Sequence, residues 1–441
     1  MAKDTTRFVC QSCGAVYPRW LGRCTTCNAW NSLVEEAAPR ASAGKGRPPA
    51  KAGAAKPIGE IPADDVVARH QTGIAELDRV LGGGAVMGSV TLLGGDPGVG
   101  KSTLLMQALS GLARKGKRCL YVSGEESAGQ TAARAKRIGA PEDHLYVLAE
   151  SDLGVTLDVM RELEPVAVVI DSVQTVRAPE LESAAGTVSQ LREVAARLVD
   201  KSKRDGVTTF LVGHVTKDGS LAGPKVLEHV VDTVLAFEGE RGQAFRTLRA
   251  QKNRFGSATE VGVFEMTQGG MREVPNPSAL FLAERPRGAS GSVVCATSEG
   301  SRPMLVEVQA LVSRTGGGAG RRTATGTDAA RLAMILAVLE RKCGLELAAS
   351  DVFVNVAGGL RVDEPAVDLA VALAVASSAR DRPLDPSLVA FGEIGLAGEV
   401  RSVARAEARA AEARAMGFTT LIAPDTTRTV AEALRRTDLI R

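Results

Sequence analysis

Residues 95–102 read Gly-Asp-Pro-Gly-Val-Gly-Lys-Ser, a complete G-x-x-x-x-G-K-[ST] phosphate-binding loop. It follows the apolar run Val90-Thr91-Leu92-Leu93 and opens into the helical stretch Thr103-Leu104-Leu105-Met106-Gln107. That setting carries more weight than the string. The glycines let backbone N–H groups turn inward on an anion, and the helix that follows points its positive end at the same place. Gly95, Asp96, Pro97, Gly98, Val99, Gly100, Lys101, Ser102 and Thr103 are therefore the candidate ATP-binding residues. Lys101 is placed to reach the β and γ phosphates, and the Ser102 hydroxyl to complete a Mg²⁺ shell.

Around this loop, from Ile58 to about Glu273, apolar runs alternate with helical stretches, as in a parallel α/β sheet. Candidate strands are Val90–Leu93, Cys119–Val122, Leu145–Leu148, Val166–Ile170, Thr208–Val212 and Thr233–Phe237, and Thr72–Gly84 reads as a short capped helix entering a glycine turn. The strand at Val166 ends in Asp171, where a carboxylate can hold the water shell of Mg²⁺. The strand at Cys119 ends in Ser123-Gly124-Glu125-Glu126. A carboxylate there can take a proton from an attacking water, with Glu125 the first candidate and Glu126 the second. His214 ends a further strand and is a candidate sensor of the γ-phosphate.

The chain begins with a different chemistry. Cys10-x-x-Cys13 and Cys24-x-x-Cys27 are two thiol pairs ten residues apart, the spacing of a closed tetrahedral Zn²⁺ site. Gly14 and Asn28 follow the pairs and suit the positive φ of such knuckles. About 34 residues cannot bury a core unaided, so the metal would supply folding energy. Redox-active pairs or disulfides are the alternatives. Tyr17, Trp20 and Trp30, with Arg19 and Arg23, suggest a small docking surface or a simple cover for the metal. Residues 35–57 then turn to Ala, Gly, Pro and Lys, and from 37 to 57 carry no acidic residue. They read as a flexible basic linker that leaves finger and core independent.

The 441 residues suit two or three domains, and the seven cysteines fit reduced thiols better than a disulfide framework. No apolar run approaches a membrane span, and the first residues do not resemble a signal peptide, so a cytoplasmic protein without membrane contact is expected. The net charge of +3 demands no polyanionic partner, and 3 % aromatic content argues against an extensive base-stacking platform.

Taken together, the four-cysteine finger, the Gly95–Thr103 loop, the Tyr121-Val122-Ser123-Gly124-Glu125-Glu126-Ser127 strand end and Lys252-Asn253-Arg254-Phe255-Gly256 resemble the RadA/Sms family of bacterial, RecA-related DNA-repair ATPases, over the whole chain. The resemblance implies a RecA-like core and a homo-hexamer. It also implies single-stranded and branched DNA as substrates, and work beside the bacterial recombinase in branch migration. Lys252 and Arg254 would, on the same basis, reach the γ-phosphate of a neighbouring subunit.

From about residue 274 to 441 no second nucleotide motif occurs. Strands near Ser292–Ala296, Leu305–Leu311 and Val352–Val356 mix with helices at 328–342, 366–379 and 402–416. Asp363–Asp368 and Phe391–Val400 are similar to the proteolytic domain of Lon-type proteases. Ala366 stands where that family has its serine, and Glu407 where it has its lysine, so peptidase chemistry is not expected. Arg401, Arg405 and Arg409 recur every four residues, which suggests one helix face, either for DNA phosphates or salt-bridged in solvent. The expected plan is a finger over 1–34, a linker over 35–57, an ATPase domain over 58–273 and a Lon-protease-like domain over 274–441.

Overall fold

Short antiparallel strands beside the cysteine pairs order the start of the chain. Strands β1 (Thr6–Cys10), β2 (Val16–Tyr17) and β3 (Leu33–Ala37) form a sheet in the order β2-β1-β3. The computed structural model describes residues 6–37, 57, 68–213, 226–239, 245–286, 288–315, 320–362 and 364–441. The chain divides into two units, Met1–Val274 and Pro275–Arg441.

In the first unit, β4 (Arg69–His70) pairs with β5 (Ala85–Val86) across α1 (Ala75–Val80). The helix is not capped by its N-cap residue Ile74. Instead Asp78 Oδ1 accepts from the Thr72 N–H at 3.0 Å and its hydroxyl at 2.8 Å, folding the approach segment onto the helix.

The chain then runs through β6 (Val90–Gly95), α2 (Lys101–Ala113), β7 (Cys119–Ser123), α3 (Ala128–Arg137), β8 (Leu145–Ala149), α4 (Leu153–Leu163) and β9 (Ala167–Asp171). It continues through α5 (Val188–Asp205), β10 (Thr208–Val212), α6 (Val226–Val230), β11 (Thr233–Glu238), β12 (Phe245–Asn253), β13 (Val261–Thr267) and β14 (Gly270–Glu273). These strands make one nine-stranded sheet, β14-β13-β12-β11-β6-β10-β9-β7-β8. The run from β8 to β11 is parallel, and β12 to β14 extend it antiparallel.

Alternation explains why the central strands read as continuous apolar runs. Ala167 and Val169 face one core with Leu104, Leu105 and Leu109 of α2. Val168 and Ile170 face the other with Leu191, Val194 and Leu198 of α5. Both faces are covered, so neither set of positions is free to be polar.

The second unit contains α7 (Pro277–Phe281), β15 (Ser292–Glu299), β16 (Arg302–Arg314), β17 (Arg322–Thr325), α8 (Ala329–Cys343) and β18 (Ser350–Val356). It continues with α9 (Asp368–Ala379), β19 (Leu388–Ala390), β20 (Glu393–Ile394), β21 (Val400–Arg401), α10 (Ala406–Ala415), β22 (Thr420–Ile422) and α11 (Val430–Arg436). Its main sheet runs β17-β18-β16-β15-β19-β22. From Asp368 to Ser377 every residue of α9 is buried, so the helix fills the unit rather than covering it.

The arginine stripe does not exist. Arg401 lies on β21, Arg405 is the left-handed N-cap of α10 at φ +59°, and only Arg409 is helical. Arg409 points inward and is 1 % exposed. Its guanidinium donates to Glu364 Oε1 and Oε2 at 2.7 and 2.6 Å and to the Ala296 carbonyl at 2.8 Å. A paired, buried guanidinium cannot also serve a DNA phosphate. Ala366 is buried beside this pair in the sequence, whereas Glu407 is exposed on the first turn of α10.

Candidate nucleotide site and metal centre

Strand β6 lies between β10 and β11, and its C-terminal end delivers the phosphate loop directly into α2. Two loop glycines are required for different reasons. Gly98 sits at φ +83°, the left-handed region that favours glycine, with no atom within 4 Å of where a Cβ would project. Gly100, at φ +112°, faces Met271, whose Cε would lie 1.9 Å from an added Cβ. An open cradle at the N-terminus of a buried helix fits a phosphate. Lys101 is buried, and its ammonium donates to the carbonyls of Gly95 and Asp96 at 2.6 and 2.9 Å. Burial lowers its pKa from the ordinary lysine value, while the carboxylates of Asp171, Asp96 and Glu125 oppose that shift.

Those carboxylates arrive from neighbouring strands. Asp171 ends β9, opposite Ser123 of β7 in the register. The buried Tyr121 hydroxyl donates to Asp171 Oδ2, so it holds the magnesium candidate at the end of the strand. Burial first, and the Asp171 charge second, push the Tyr121 pKa well up, which keeps the phenol a donor. Arg134 of α3 lies 3.8 Å from Asp171 and pairs with Glu126. Glu125 instead accepts from the Ser172 hydroxyl at 2.6 Å. The two glutamates therefore differ: Glu126 is committed to a guanidinium, and Glu125 is among the charges acting on Lys101.

Lys252 and Arg254 are not brought to this cluster. Lys252 is the penultimate residue of β12 and Arg254 directly follows the strand, whose Asn253 pairs with Thr233, which in turn pairs with Thr91 at the start of β6. Gly95 lies at the other end of that strand, roughly 13 Å away at the usual strand rise. Lys252 donates to the carbonyls of Glu228 and Val231 at 2.6 and 2.7 Å, and Arg254 lies 3.6 Å from Asp232. His214 lies outside the described residues.

At the other site, the sulfurs of Cys10, Cys13, Cys24 and Cys27 all fall within 4.8 Å of one another. Cys10–Cys27 and Cys13–Cys24 are 3.7 and 3.6 Å apart. A tetrahedral shell at the usual Zn–S bond length has edges of about 3.8 Å, so the donor set fits zinc. Gly14 and Asn28 adopt the positive φ that the knuckles require. Tyr17 is half-buried, with its hydroxyl near Cys24 Sγ, Thr25 and Thr26, and so belongs to the metal's surroundings rather than to a free face.

The finger is also not independent of the core. Val9 packs on Val188, Gln11 accepts from the Val188 N–H at 3.2 Å, and buried Glu36 accepts from Ser189. All of these partners lie on the first turn of α5, so the basic linker joins two parts that touch.

Comparison with known proteins agrees with this layout. Residues 8–35 match the rubredoxin metal binding domain, 55–220 the AAA domain, and 323–427 the model described as subunit ChlI of Mg-chelatase. The chain is 50 % identical over 428 residues to DNA repair protein RadA of Halalkalibacterium halodurans, covering 96 % of this chain and 93 % of that one. The same proteins of Listeria monocytogenes and Bacillus subtilis are 51 % and 49 % identical over the same shares. The chain belongs to the RadA family of DNA repair proteins.

A zinc-binding ribbon, an ATP-binding P-loop core and a ChlI-like, Lon-protease-like C-terminal unit are the family's parts here, and they make the chain a DNA-repair ATPase. Among the described residues no helix is long and apolar enough to cross a membrane. Tyr121 stood in a motif without a role assigned to it, and Arg134 and Ser172 stood in none. A tyrosine inside a wholly buried strand was the available signal for the first, because its hydroxyl must find a partner. Arg134 gave none, since its partners come from other elements.

Proposed function

We propose that this RadA-family ATPase is a DNA-dependent, helicase-type motor. In this reading it works as a cytoplasmic homo-hexamer on single-stranded and branched DNA, promoting branch migration and processing strand-exchange intermediates beside the bacterial recombinase. Residues Gly95 to Thr103 enclose the ATP phosphates, and Lys101 neutralises the β and γ groups. Ser102 and Asp171 would hold Mg²⁺, which supplies charge neutralisation between the phosphates when bound. Glu125 accepts the proton of the attacking water. Lys252 and Arg254 stabilise the transferring phosphoryl group of the neighbouring subunit, and His214 senses it. The finger spans 1–34, the linker 35–57, the ATPase domain 58–273 and a Lon-like domain without catalytic dyad 274–441, with Ala366 offering no nucleophile and Glu407 no amine.

One observation carries the assembly part of this reading: Lys252 and Arg254 stand at the end of the sheet away from their own phosphate loop. Groups so placed serve a second copy's nucleotide. ATP turnover and strand separation on forked DNA, with and without recombinase, test the proposal. DNA-stimulated turnover with directional strand displacement is the expected result.

A second reading, a nucleotide-switched scaffold that regulates repair partners without translocating, draws on the finger's contact with α5. Turnover that never separates strands would favour it.

A further inference from the structure

We propose that the second knuckle of the finger is a stacking site for unpaired bases of single-stranded DNA. The chain has two tryptophans, and both lie here. Trp20 is 54 % and Trp30 71 % exposed, a large apolar area for a chain with 3 % aromatic residues. They border the same glycine: a Cβ on Gly22 would lie 3.6 Å from Trp20 Cη2 and 4.0 Å from Trp30 Cζ3. The Arg23 guanidinium lies 5.6 Å from the Trp30 ring centroid, and Arg19 is exposed beside Trp20 in sequence.

The occupant follows from charge. Four thiolates outweigh the charge of Zn²⁺, so the positive charge of this face comes from the exposed guanidinium groups of Arg19 and Arg23, with no carboxylate in the sequence from Thr5 to Val34. Flat aromatic faces flanked by guanidinium groups suit bases joined by phosphates, and stacking of this kind tolerates any base sequence. Among the described residues the contacts with α5 come from Val9, Gln11, Gly14 and Glu36, outside the second knuckle, so the tryptophans are not spent on holding the finger in place. The choice of DNA over RNA rests on the function proposed above.

Because the chain has only these two tryptophans, their emission reports on this site alone. Full-length protein titrated with an oligo-dT strand should show saturable quenching that weakens as salt rises. Trp20→Ala with Trp30→Ala should lower affinity about tenfold for each indole that stacks, read by anisotropy of a labelled oligo-dT. Zinc content reports whether that variant keeps its finger, and Trp20→Phe with Trp30→Phe, which retains two stacking rings, should bind nearly as well as wild type. Unchanged emission while anisotropy shows bound DNA overturns the finger site and leaves the DNA motor standing. No binding by either signal overturns both. Unchanged DNA affinity in the zinc-loaded alanine variant, with loss of recombinase binding instead, makes the face a protein-docking surface and refutes the proposal.

Discussion

Replacing Glu125 with Gln should stop ATP hydrolysis, and replacing Glu126 with Gln should not. The structure separates the two neighbours by what already holds them. Glu125 accepts from the Ser172 hydroxyl at 2.6 Å, and an amide oxygen can accept that bond too. For that bond the substitution costs the difference between a charged and a neutral acceptor, about 1 kcal/mol. A general base contributes about 10²–10⁴ in rate, or about 3–5 kcal/mol of barrier. That gap lets a rate assay distinguish chemistry from folding. Glu126 is paired with Arg134 in a partly exposed site, so Glu126→Gln loses about 1 kcal/mol and less than tenfold in turnover. Steady-state phosphate release and nucleotide affinity should be measured for both variants. Glu125→Gln should bind ATP as wild type and turn over at least a hundredfold more slowly. A dead Glu126→Gln beside an active Glu125→Gln would refute this assignment of the base.

Four further outcomes are expected. Lys101→Ala should abolish turnover while the fold persists, because the loop is shaped by glycine backbone; near-normal phosphate release would remove the hydrolysis scheme. Arg254→Ala should cut turnover with ATP affinity kept, and mixing it with Lys101→Ala subunits should restore activity at composite sites, unless the arginine acts within its own chain. Cys27→Ser should lose zinc, measured by metal analysis, and should also raise amide exchange at the first turn of α5, where Gln11 and Glu36 dock. Arg409→Ala should cost the C-terminal unit about 3 kcal/mol in denaturant unfolding at neutral pH, by leaving Glu364 unpaired. Burial alone would push the Glu364 carboxyl up, but Arg409 and Thr297 hold it below the usual carboxylate range. Wild type should therefore hold that stability above the unfolded carboxylate value and lose it as pH falls through the lower folded one, and the variant's deficit should shrink on acidification.

What could be read from the sequence divides along a physical line. The phosphate loop and the knuckles were legible because their chemistry is local: Gly98, Gly14 and Asn28 must take positive φ wherever the rest of the chain goes. The central strands were legible because burial on both faces leaves no polar alternation to confuse the pattern. The arginine repeat failed because the four-residue rule holds only inside one helix, and a left-handed residue at 405 starts a new axis. Even inside the helix, the sequence neighbourhood of Arg409 does not reveal Glu364, which turns it inward from 45 residues away. Finger docking was hidden in the same way, since Gln11 and Val188 meet across 177 residues.

Lys252 and Arg254 show the reverse case, in which topology gives meaning that the motif lacks. Read as a string, they are two cations near a turn. Read in the sheet, they lie where an antiparallel strand finishes, and that strand returns the chain to the end of the sheet opposite the loop where β6 delivers its glycines. A cation there is too far from its own nucleotide to neutralise charge on it. Any γ-phosphate that Arg254 touches has to be carried by another copy of the chain, which is why the mixed-subunit experiment tests the ring and the chemistry together.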